Sequence, residues 1–215
     1  IIFDGQDITH LNQKGLMPIR KRLQIVFQDP YSSLDPRWSI RRVISEPLKA
    51  HRYGSRREIN KRVEELLEQV GLPQDAVDRV PSQFSGGQRQ RIAVARSLAL
   101  EPEAIIADEP VSALDVSIQA QIINLLRDLQ DRLNIGLLVI AHDLALVHQI
   151  SDRIIVMYLG EAVEEGPSDD LVGNPQHPYT VALLSATPIP EPGGDRKRIV
   201  LTGDPPSPIY RPAGC

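Results

Sequence analysis

Two adjacent carboxylates close a short apolar run near the middle of the chain. The run extends from Ala104 to Ala107, and the carboxylates are Asp108 and Glu109. A short apolar run of this kind is typical of a buried strand. Two acids at the end of such a strand suit a divalent cation beside a general base. The pair therefore indicates metal-assisted acid–base chemistry.

A possible anion site precedes these carboxylates by about twenty residues. Ser85 and Gln88 have the spacing of a capping box, which predicts that a helix begins there. Gly86 and Gly87 leave the first backbone N–H groups of that helix unshielded by side chains. Orphan N–H groups and the helix dipole both favour negative charge. Together, the anion site and the metal site suggest a nucleoside triphosphate with Mg²⁺.

The strands that carry these residues are predicted to form one parallel sheet. Their sequences are continuously apolar, which is typical of strands buried on both faces between layers of helices. Gln28, Asp108, Glu109 and His142 each follow such a strand. Because open α/β sheets bind ligands at the carboxyl edge of their strands, all four residues are expected at that edge.

Followed by Ser112-Ala113-Leu114-Asp115, these motifs closely resemble the signature, Walker B and D-loop segments of the ABC ATPases. The resemblance implies a P-loop-NTPase-like α/β fold, and ATP with Mg²⁺ as ligands. It implies that Ser85 to Gln88 contact the γ-phosphate held by a partner subunit. Asp108 would hold Mg²⁺ through water, and Glu109 would polarise the attacking water.

Three further residues take roles from the same resemblance. Gln28 resembles the Q-loop glutamine that senses Mg²⁺ and the γ-phosphate, against the alternative of an exposed loop amide. His142 resembles the H-loop histidine that contacts the γ-phosphate and orients the water, against a structural role at a strand end. Asp115 resembles the D-loop acid that reaches across a dimer, and it is also expected to cap the next helix.

The branch of the family is indicated by segments outside these motifs. Residues 28–37, Phe84, His177-Pro178-Tyr179-Thr180, residues 203–208 and Gly214-Cys215 resemble the oligopeptide and dipeptide importers. The resemblance implies an ATP-hydrolysing subunit that powers peptide import at the cytoplasmic face of the inner membrane. Its partners would be a second ATPase subunit, membrane permeases contacted by the loop Tyr31 to Arg37 and, indirectly, an external peptide-binding protein.

The sequence departs from the family in one respect, because it contains no P-loop. The pattern Gly-x-x-x-x-Gly-Lys-Ser/Thr requires a Lys before Ser or Thr, and none of the five Lys residues meets this requirement. We therefore expect the chain to be part of a longer ATPase and to bind and hydrolyse ATP poorly by itself. We also expect apolar faces of the central sheet to be uncovered, since the elements that flank a P-loop are missing.

Other functions stay open at this point. The chain could be a non-hydrolysing module that completes the site of a partner ATPase, or an ATPase for nickel or another solute. A third alternative, an ABC ATPase of DNA repair or translation, is disfavoured by the His-Pro-Tyr-Thr segment and by the expected lack of a basic face, and the net charge of −4 gives no nucleic-acid footprint. The longest apolar run, Ile135 to Ala141, is far too short to span a bilayer. The single cysteine, Cys215, fits a reducing compartment but has no evident role.

Composition and motif order predict four segments. Residues 1–35 would hold the first strands and the Q-loop, 36–100 a helical subdomain with the signature helix, and 101–174 the remaining α/β core. Residues 175–215 would form an importer-type tail, which is Pro-rich and therefore predicted to be extended. Within this plan Asp29 to Arg37 is expected to be an exposed loop. The arginines 89, 91 and 96 are expected to form a solvated or ion-paired face.

Local patterns predict further element boundaries. Ser55 and Glu58 form a second capping box, and Gly71 is expected to end the helix that follows it. Asp143 is expected to cap a short helix, and two later strands are expected to join at Gly160.

Overall fold

The computed structural model describes residues 1–186 and Ile199. The chain divides into two compact units, residues 1–140 and residues 141–215. The predicted extended Pro-rich tail, the importer-like segment 203–208 and Cys215 lie outside the described residues. The four segments predicted from composition stay predictions.

The first unit combines a hairpin, a parallel sheet and helices. Its hairpin turns at Asp4 and Gly5, whose φ angles of 50° and 74° are both positive, as a two-residue turn between twisted strands requires. The elements follow in the order β1 (Ile2–Phe3), β2 (Gln6–Asp7), α1 (Gln13–Arg22), β3 (Leu23–Val26), α2 (Pro30–Ser33), α3 (Ile40–Ala50), α4 (Arg56–Gln69), α5 (Gly86–Ser97), β4 (Ala104–Asp108), α6 (Val116–Leu133) and β5 (Gly136–Ile140).

The helices α3, α4 and α5 pack together because each has an apolar face and a defined start. Helix α4 begins at a predicted capping box: Glu58 N donates to Ser55 Oγ over 3.4 Å, and Ser55 N donates to Glu58 Oε2 over 2.7 Å. Its apolar positions are fully buried, as Val63 and Leu66 illustrate. Gly71, with φ 69°, then ends the helix as predicted.

The parallel sheet has the order β3-β4-β5. This arrangement confirms the predicted α/β class and the parallel pairing of the three strands. One face carries the fully buried Val26 and Ala107. The neighbouring strands are connected through α2–α5 and through α6, as parallel strands require.

The opposite face of the sheet is uncovered. Its apolar side chains are between about a third and three fifths exposed: Ile25 37%, Phe27 46%, Leu138 57% and Ile140 48%. The prediction that these strands are buried on both faces is therefore wrong for β3 and β5. The expectation of an uncovered apolar sheet face is confirmed.

The segment after Gln28 also differs from its prediction as an exposed loop. Asp29 caps the short helix α2, with its Oδ1 accepting from Tyr31 N over 2.8 Å. Pro30 at the first helical position and Leu34 after the helix are buried. A sequence rich in turn residues therefore forms a packed helical turn here, because two of its residues enter the core.

The second unit is built on an antiparallel hairpin. Its elements are α7 (Leu144–Ile150), β6 (Arg153–Tyr158), β7 (Glu161–Pro167), α8 (Ser168–Gly173) and α9 (Pro178–Ala186). The hairpin turns at Leu159 and Gly160, where φ is 49° and 80°, close to the predicted junction. Leu144, Val147, Ile154, Val156 and Leu171 form its apolar core.

The start of α9 is held by one carboxylate. Glu164 Oε1 accepts from Gln176 N over 2.8 Å, and Glu164 Oε2 accepts from His177 N over 3.0 Å. The ring of Tyr179 then packs against that of Tyr158, with centroids 4.5 Å apart. These contacts fix the His-Pro-Tyr-Thr segment onto the hairpin of its own unit.

Candidate functional site

The carboxyl ends of the three parallel strands meet at one edge. In the register of the sheet Val26 lies beside Ala107, and Asp108 lies beside Ile140. Gln28 follows β3 by two residues, and Glu109 follows β4 directly. The strand pairing thus brings Gln28, Asp108 and Glu109 to the same edge, as the sequence predicts for a parallel sheet.

Gln28 and Glu109 are in direct contact at this edge. Gln28 Nε2 donates a hydrogen bond of 2.7 Å to Glu109 Oε2, although the residues are 81 positions apart. Hydrogen bonds to an ionised carboxylate are among the stronger ones in proteins. The amide therefore orients the Glu109 side chain, and its own oxygen remains an acceptor for a cation.

The backbone of Glu109 is held in an uncommon conformation. Its φ angle is 41°, in the left-handed region that costs a non-glycine residue about 1–3 kcal/mol. Glu109 N donates to Ile140 O over 2.8 Å, while Glu109 O accepts from Ser112 N over 3.3 Å. These bonds from the neighbouring strand and from the following turn keep the carboxylate at a fixed position on the sheet edge.

The metal-binding capacity of this edge is limited. Asp108, the last residue of β4, is half-buried, and Gln28 is exposed. Within residues 1–186, no group of three His, Cys, Asp or Glu side chains is arranged to hold a metal ion. One carboxylate and one amide oxygen nevertheless fit Mg²⁺, which keeps several waters and is usually bound together with substrate phosphates.

The predicted signature helix begins at Ser85 and has the predicted capping box. Gln88 N donates to Ser85 Oγ over 3.4 Å, and Ser85 N donates to Gln88 Oε1 over 3.0 Å. Both residues are exposed. The side chains at the entry to α5 are therefore accessible, while Gly87 is buried and the N–H groups of Ser85 and Gln88 are engaged in the capping box. The predicted phosphate contact at this helix start stays a prediction.

Gly86 and Gly87 also have a packing role, which local sequence patterns do not indicate. A Cβ on Gly87 would lie 2.5 Å from Ile118 Cγ2, and a Cβ on Gly86 would lie 3.1 Å from Leu114 Cδ2. The two glycines thus let the start of α5 approach the turn that precedes α6. This approach joins the signature segment to the D-loop segment.

Asp115 stands at the N-cap position of α6, as predicted, but its side chain makes no capping hydrogen bond. The turn before the helix is held instead by Gln119, whose Nε2 donates to Val111 O over 3.1 Å and to Leu114 O over 3.0 Å. The prediction of a side-chain cap is therefore wrong. Gln119 supplies the hydrogen bonds that hold this turn, and the Asp115 carboxylate is exposed.

The arginines of α5 do not form the predicted solvated or ion-paired face. Their guanidinium groups donate to backbone carbonyls: Arg89 Nε to Pro81 O over 2.7 Å, and Arg91 Nη1 to Val70 O over 2.7 Å. Arg96 Nη1 likewise donates to a carbonyl 2.6 Å away, that of Ser33 in α2. Carbonyl groups at helix ends need such donors when they are buried by packing.

Two of these arginines connect the segment after Gln28 to the signature helix. The guanidinium of Arg89 lies 4.0 Å from the ring centroid of Tyr31, and Arg96 holds the carbonyl of Ser33. Burial lowers the pKa of the Arg96 guanidinium, and the charge of Glu46 opposes this shift. The contacts of Arg89, Arg96 and Gln119 could not be predicted from apolar periodicity. Their partners are backbone atoms or residues far away in the sequence.

His142 belongs to the second unit, in which Asp143 caps α7 by accepting from Ala145 N over 2.9 Å. The predicted cap is thus confirmed, while the predicted catalytic role of His142 stays a prediction. In the first unit the described contacts form two groups. One joins Gln28 to Glu109 beside Asp108, and the other joins the signature segment to the D-loop segment.

Known protein families match most of the chain. Residues 1–112 match the ABC transporter family, and residues 163–215 match the C-terminal region of oligopeptide/dipeptide transporters. The chain is 53% identical over 215 residues to a putative peptide import ATP-binding protein of Brucella ovis, and covers 68% of it. It is 54% identical over 218 residues to the oligopeptide transport ATP-binding protein AppF of Bacillus subtilis, and covers 66% of that protein. All of this chain is aligned in both cases.

Solved structures give the same result for the fold. A dimeric ATP-binding cassette in a post-hydrolysis state with ADP and Pi is similar at 32% identity and a TM-score of 0.68, covering 77% of this chain and 72% of the other. A component of the cbiONQ ABC transporter complex from Clostridium perfringens is similar at 30% identity and a TM-score of 0.72, covering 84% and 69%. The chain therefore belongs to the ABC transporter family of ATP-binding proteins, in the branch that carries the oligopeptide/dipeptide transporter C-terminal region.

Proposed function

We propose that this chain serves in the ATP-binding and ATP-hydrolysing subunit that powers import of oligopeptides or dipeptides through an ABC transporter. The observation that carries the proposal is the hydrogen bond between Gln28 and Glu109, beside Asp108 at the carboxyl edge of the sheet. The relatives that share the whole chain are named as peptide import proteins, which favours a peptide substrate over nickel.

The residues at the sheet edge have separate roles in ATP hydrolysis. The Glu109 carboxylate accepts a proton from the attacking water, and Gln28 keeps that carboxylate in place. Asp108, through water, and the Gln28 amide oxygen would hold Mg²⁺ together with the phosphates. Bound Mg²⁺ neutralises the charge that develops on the phosphate oxygens. His142 contacts the γ-phosphate, the role that the family resemblance assigns to it.

The signature segment acts on a second nucleotide. Ser85 and Gln88 are exposed at the start of α5, and a helix start favours negative charge, which suits the γ-phosphate bound by a partner ATPase subunit. Asp115 is exposed on the adjoining turn and reaches towards the same partner. ATP thus closes a dimer of two such subunits, and hydrolysis reopens it.

The transporter supplies the membrane component of this function. No helix in the described part of the chain is long and apolar enough to cross a bilayer. The segment Tyr31 to Arg37 contacts membrane permease subunits, so the ATPase lies peripherally at the cytoplasmic face of the membrane. Peptide selectivity then belongs to the permease and, indirectly, to an external peptide-binding protein.

The proposal is tested with the assembled transporter in membrane vesicles. Uptake of a labelled oligopeptide and release of phosphate should both require ATP and should both be lost in a Gln28→Ala, Glu109→Gln double variant. Uptake without phosphate release by this subunit would favour the non-hydrolysing module. ATP-dependent uptake of Ni²⁺ in place of peptide would assign the other solute class.

A further inference from the structure

The charge of this protein is unevenly distributed along the chain. Residues 37–62 contain nine Lys or Arg residues and two Glu residues, a net charge of +7 in a chain whose net charge is −4. This segment forms α3, the following turn and the first half of α4. The overall negative charge therefore conceals a strongly basic surface, and the expectation that the chain lacks a basic face is wrong for this segment.

Part of this basic surface is a groove between α3 and α4. It has a volume of about 530 Å³, and four cationic side chains line it: Arg41, Arg42, Lys49 and Arg56. Ser45 and Asn60 add polar groups to its wall. Among the residues that the structure describes, no Asp or Glu side chain lines the groove. The groove thus presents hydrogen-bond donors and positive charge together.

Existing contacts leave most of this charge uncompensated. Arg41 lies 3.6 Å from the exposed carboxylate of Asp78, and Arg42 stacks on the ring of Trp38 at 3.9 Å. In the described part of the chain, Lys49 and Arg56 form no ion pair. Both of these side chains are exposed. Concentrating like charges in one groove is unfavourable unless an anion binds there.

We propose that the groove between α3 and α4 binds the phosphate groups of anionic lipid headgroups. Guanidinium, ammonium, hydroxyl and amide groups are the donors that phosphate oxygens accept from. The groove volume suits a small ligand or a headgroup and is too small for a nucleic-acid duplex. The choice of a lipid phosphate over a free phosphate rests on the proposed transport function, because that function brings this protein to a bilayer.

An aromatic residue in contact with a groove arginine agrees with a membrane surface. Trp38 lies under the guanidinium of Arg42, which lines the groove. A second aromatic residue, Tyr53, is 38% exposed in the turn between the two helices, where its hydroxyl donates to Glu101. Trp and Tyr combine an apolar body with a polar tip and are enriched at membrane interfaces. Basic residues near an anionic bilayer are attracted by its negative surface potential. The groove would therefore orient the subunit on the membrane beside its permease.

The test is co-sedimentation of the purified protein with lipid vesicles. Vesicles of equal parts phosphatidylglycerol and phosphatidylcholine should bind the protein, and vesicles of phosphatidylcholine alone should not. The triple variant Arg42→Gln, Lys49→Gln, Arg56→Gln should weaken binding by roughly tenfold or more. The control triple variant Lys14→Gln, Arg20→Gln, Lys21→Gln removes the same charge from exposed positions of α1 and should bind like the wild type.

Several outcomes would overturn the proposal. If both triple variants bind vesicles more weakly to the same extent, then net charge explains the binding and the groove has no specific role. Displacement by millimolar inorganic phosphate would assign the groove to a soluble phosphate, and tighter binding of a single-stranded oligonucleotide would assign it to nucleic acid. Peptide uptake separates this proposal from the proposed function: uptake without vesicle binding removes the groove proposal alone, and vesicle binding without ATP-dependent uptake of peptide removes the transport function.

Discussion

The Gln28 amide is 2.7 Å from the Glu109 carboxylate, across two neighbouring strand ends. This bond links the segment that leads into α2 with the carboxylate that follows β4. A movement of α2 would therefore displace Glu109, since Gln28 precedes that helix by only two residues. The contact gives a direct structural route between the segment proposed to meet the permease and the proposed catalytic base.

Glu109→Gln tests the role of the carboxylate. The amide cannot accept a proton, so hydrolysis in the assembled transporter should fall by roughly 10²-fold or more. Mg²⁺ binding through Asp108 should persist, and ATP should trap a stable dimer. Phosphate release and size-exclusion chromatography measure the two effects. The control Glu68→Gln changes an exposed carboxylate of α4 and should hydrolyse normally; near-normal hydrolysis by Glu109→Gln would remove Glu109 from this role.

Ser85→Arg tests the signature interface. The new side chain should fill the anion site at the start of α5 and abolish ATP-driven dimerisation. Because Ser85 Oγ caps Gln88 N, its loss should lower the free energy of unfolding by about 0.5–2 kcal/mol, while the exposed position still allows the chain to fold. Ser82→Arg, three residues earlier at another exposed position, is the matched control and should still dimerise. Analytical ultracentrifugation with and without ATP distinguishes them. A Ser85→Arg protein that dimerises with ATP would show that the signature assignment is wrong.

Gly87→Ala tests the packing of α5 against α6. The added Cβ would lie 2.5 Å from Ile118 Cγ2, so we expect the free energy of unfolding to fall by about 1–3 kcal/mol. Urea denaturation measures the change. A double variant that also carries Ile118→Ala should recover part of the lost free energy of unfolding. Gly173→Ala is the control, since no atom lies within 4 Å of its added Cβ. Equal stability of Gly87→Ala and wild type would contradict the described packing.

Arg96→Met tests the connection between α5 and α2. The variant keeps much of the side-chain volume but removes the donor to Ser33 O at 2.6 Å, which should lower the free energy of unfolding by about 1–3 kcal/mol. Hydrolysis should also fall, because Gln28 precedes α2 by only two residues. Arg57→Met alters an exposed arginine of α4 and should change neither quantity. If Arg96→Met lowers stability but leaves hydrolysis intact, then the contact between α5 and α2 does not affect Gln28 and Glu109 at the sheet edge.

Gln90→Met tests a buried amide in the signature helix. Within the described structure, neither Gln90 Nε2 nor Gln90 Oε1 has a hydrogen-bond partner, and the residue is fully buried. Replacing such an amide with an apolar side chain of similar shape should raise the free energy of unfolding by about 1–3 kcal/mol. Gln88→Met is the comparison and should lower stability, since its Oε1 caps Ser85 N. A lower free energy of unfolding in Gln90→Met would contradict the conclusion that the Gln90 side-chain amide has no hydrogen-bond partner.

The sequence by itself determined the features that depend on short-range patterns. Both capping boxes, at Ser55 and at Ser85, form as predicted because their hydrogen bonds join residues three positions apart. The edge shared by Gln28 and Glu109 was also predictable, since strands in a parallel sheet all end on one side. The family resemblance rests on such contiguous motifs and is confirmed over the whole chain.

Only the tertiary structure decided which distant groups these local elements meet. Arg96 donates to a carbonyl 63 residues away, and Gly87 is required by the position of Ile118 in another helix. Asp115 occupies the predicted cap position, yet Gln119 makes the hydrogen bonds to the turn. No periodic pattern encodes such partners, because they arise when separate elements pack and buried carbonyls need donors.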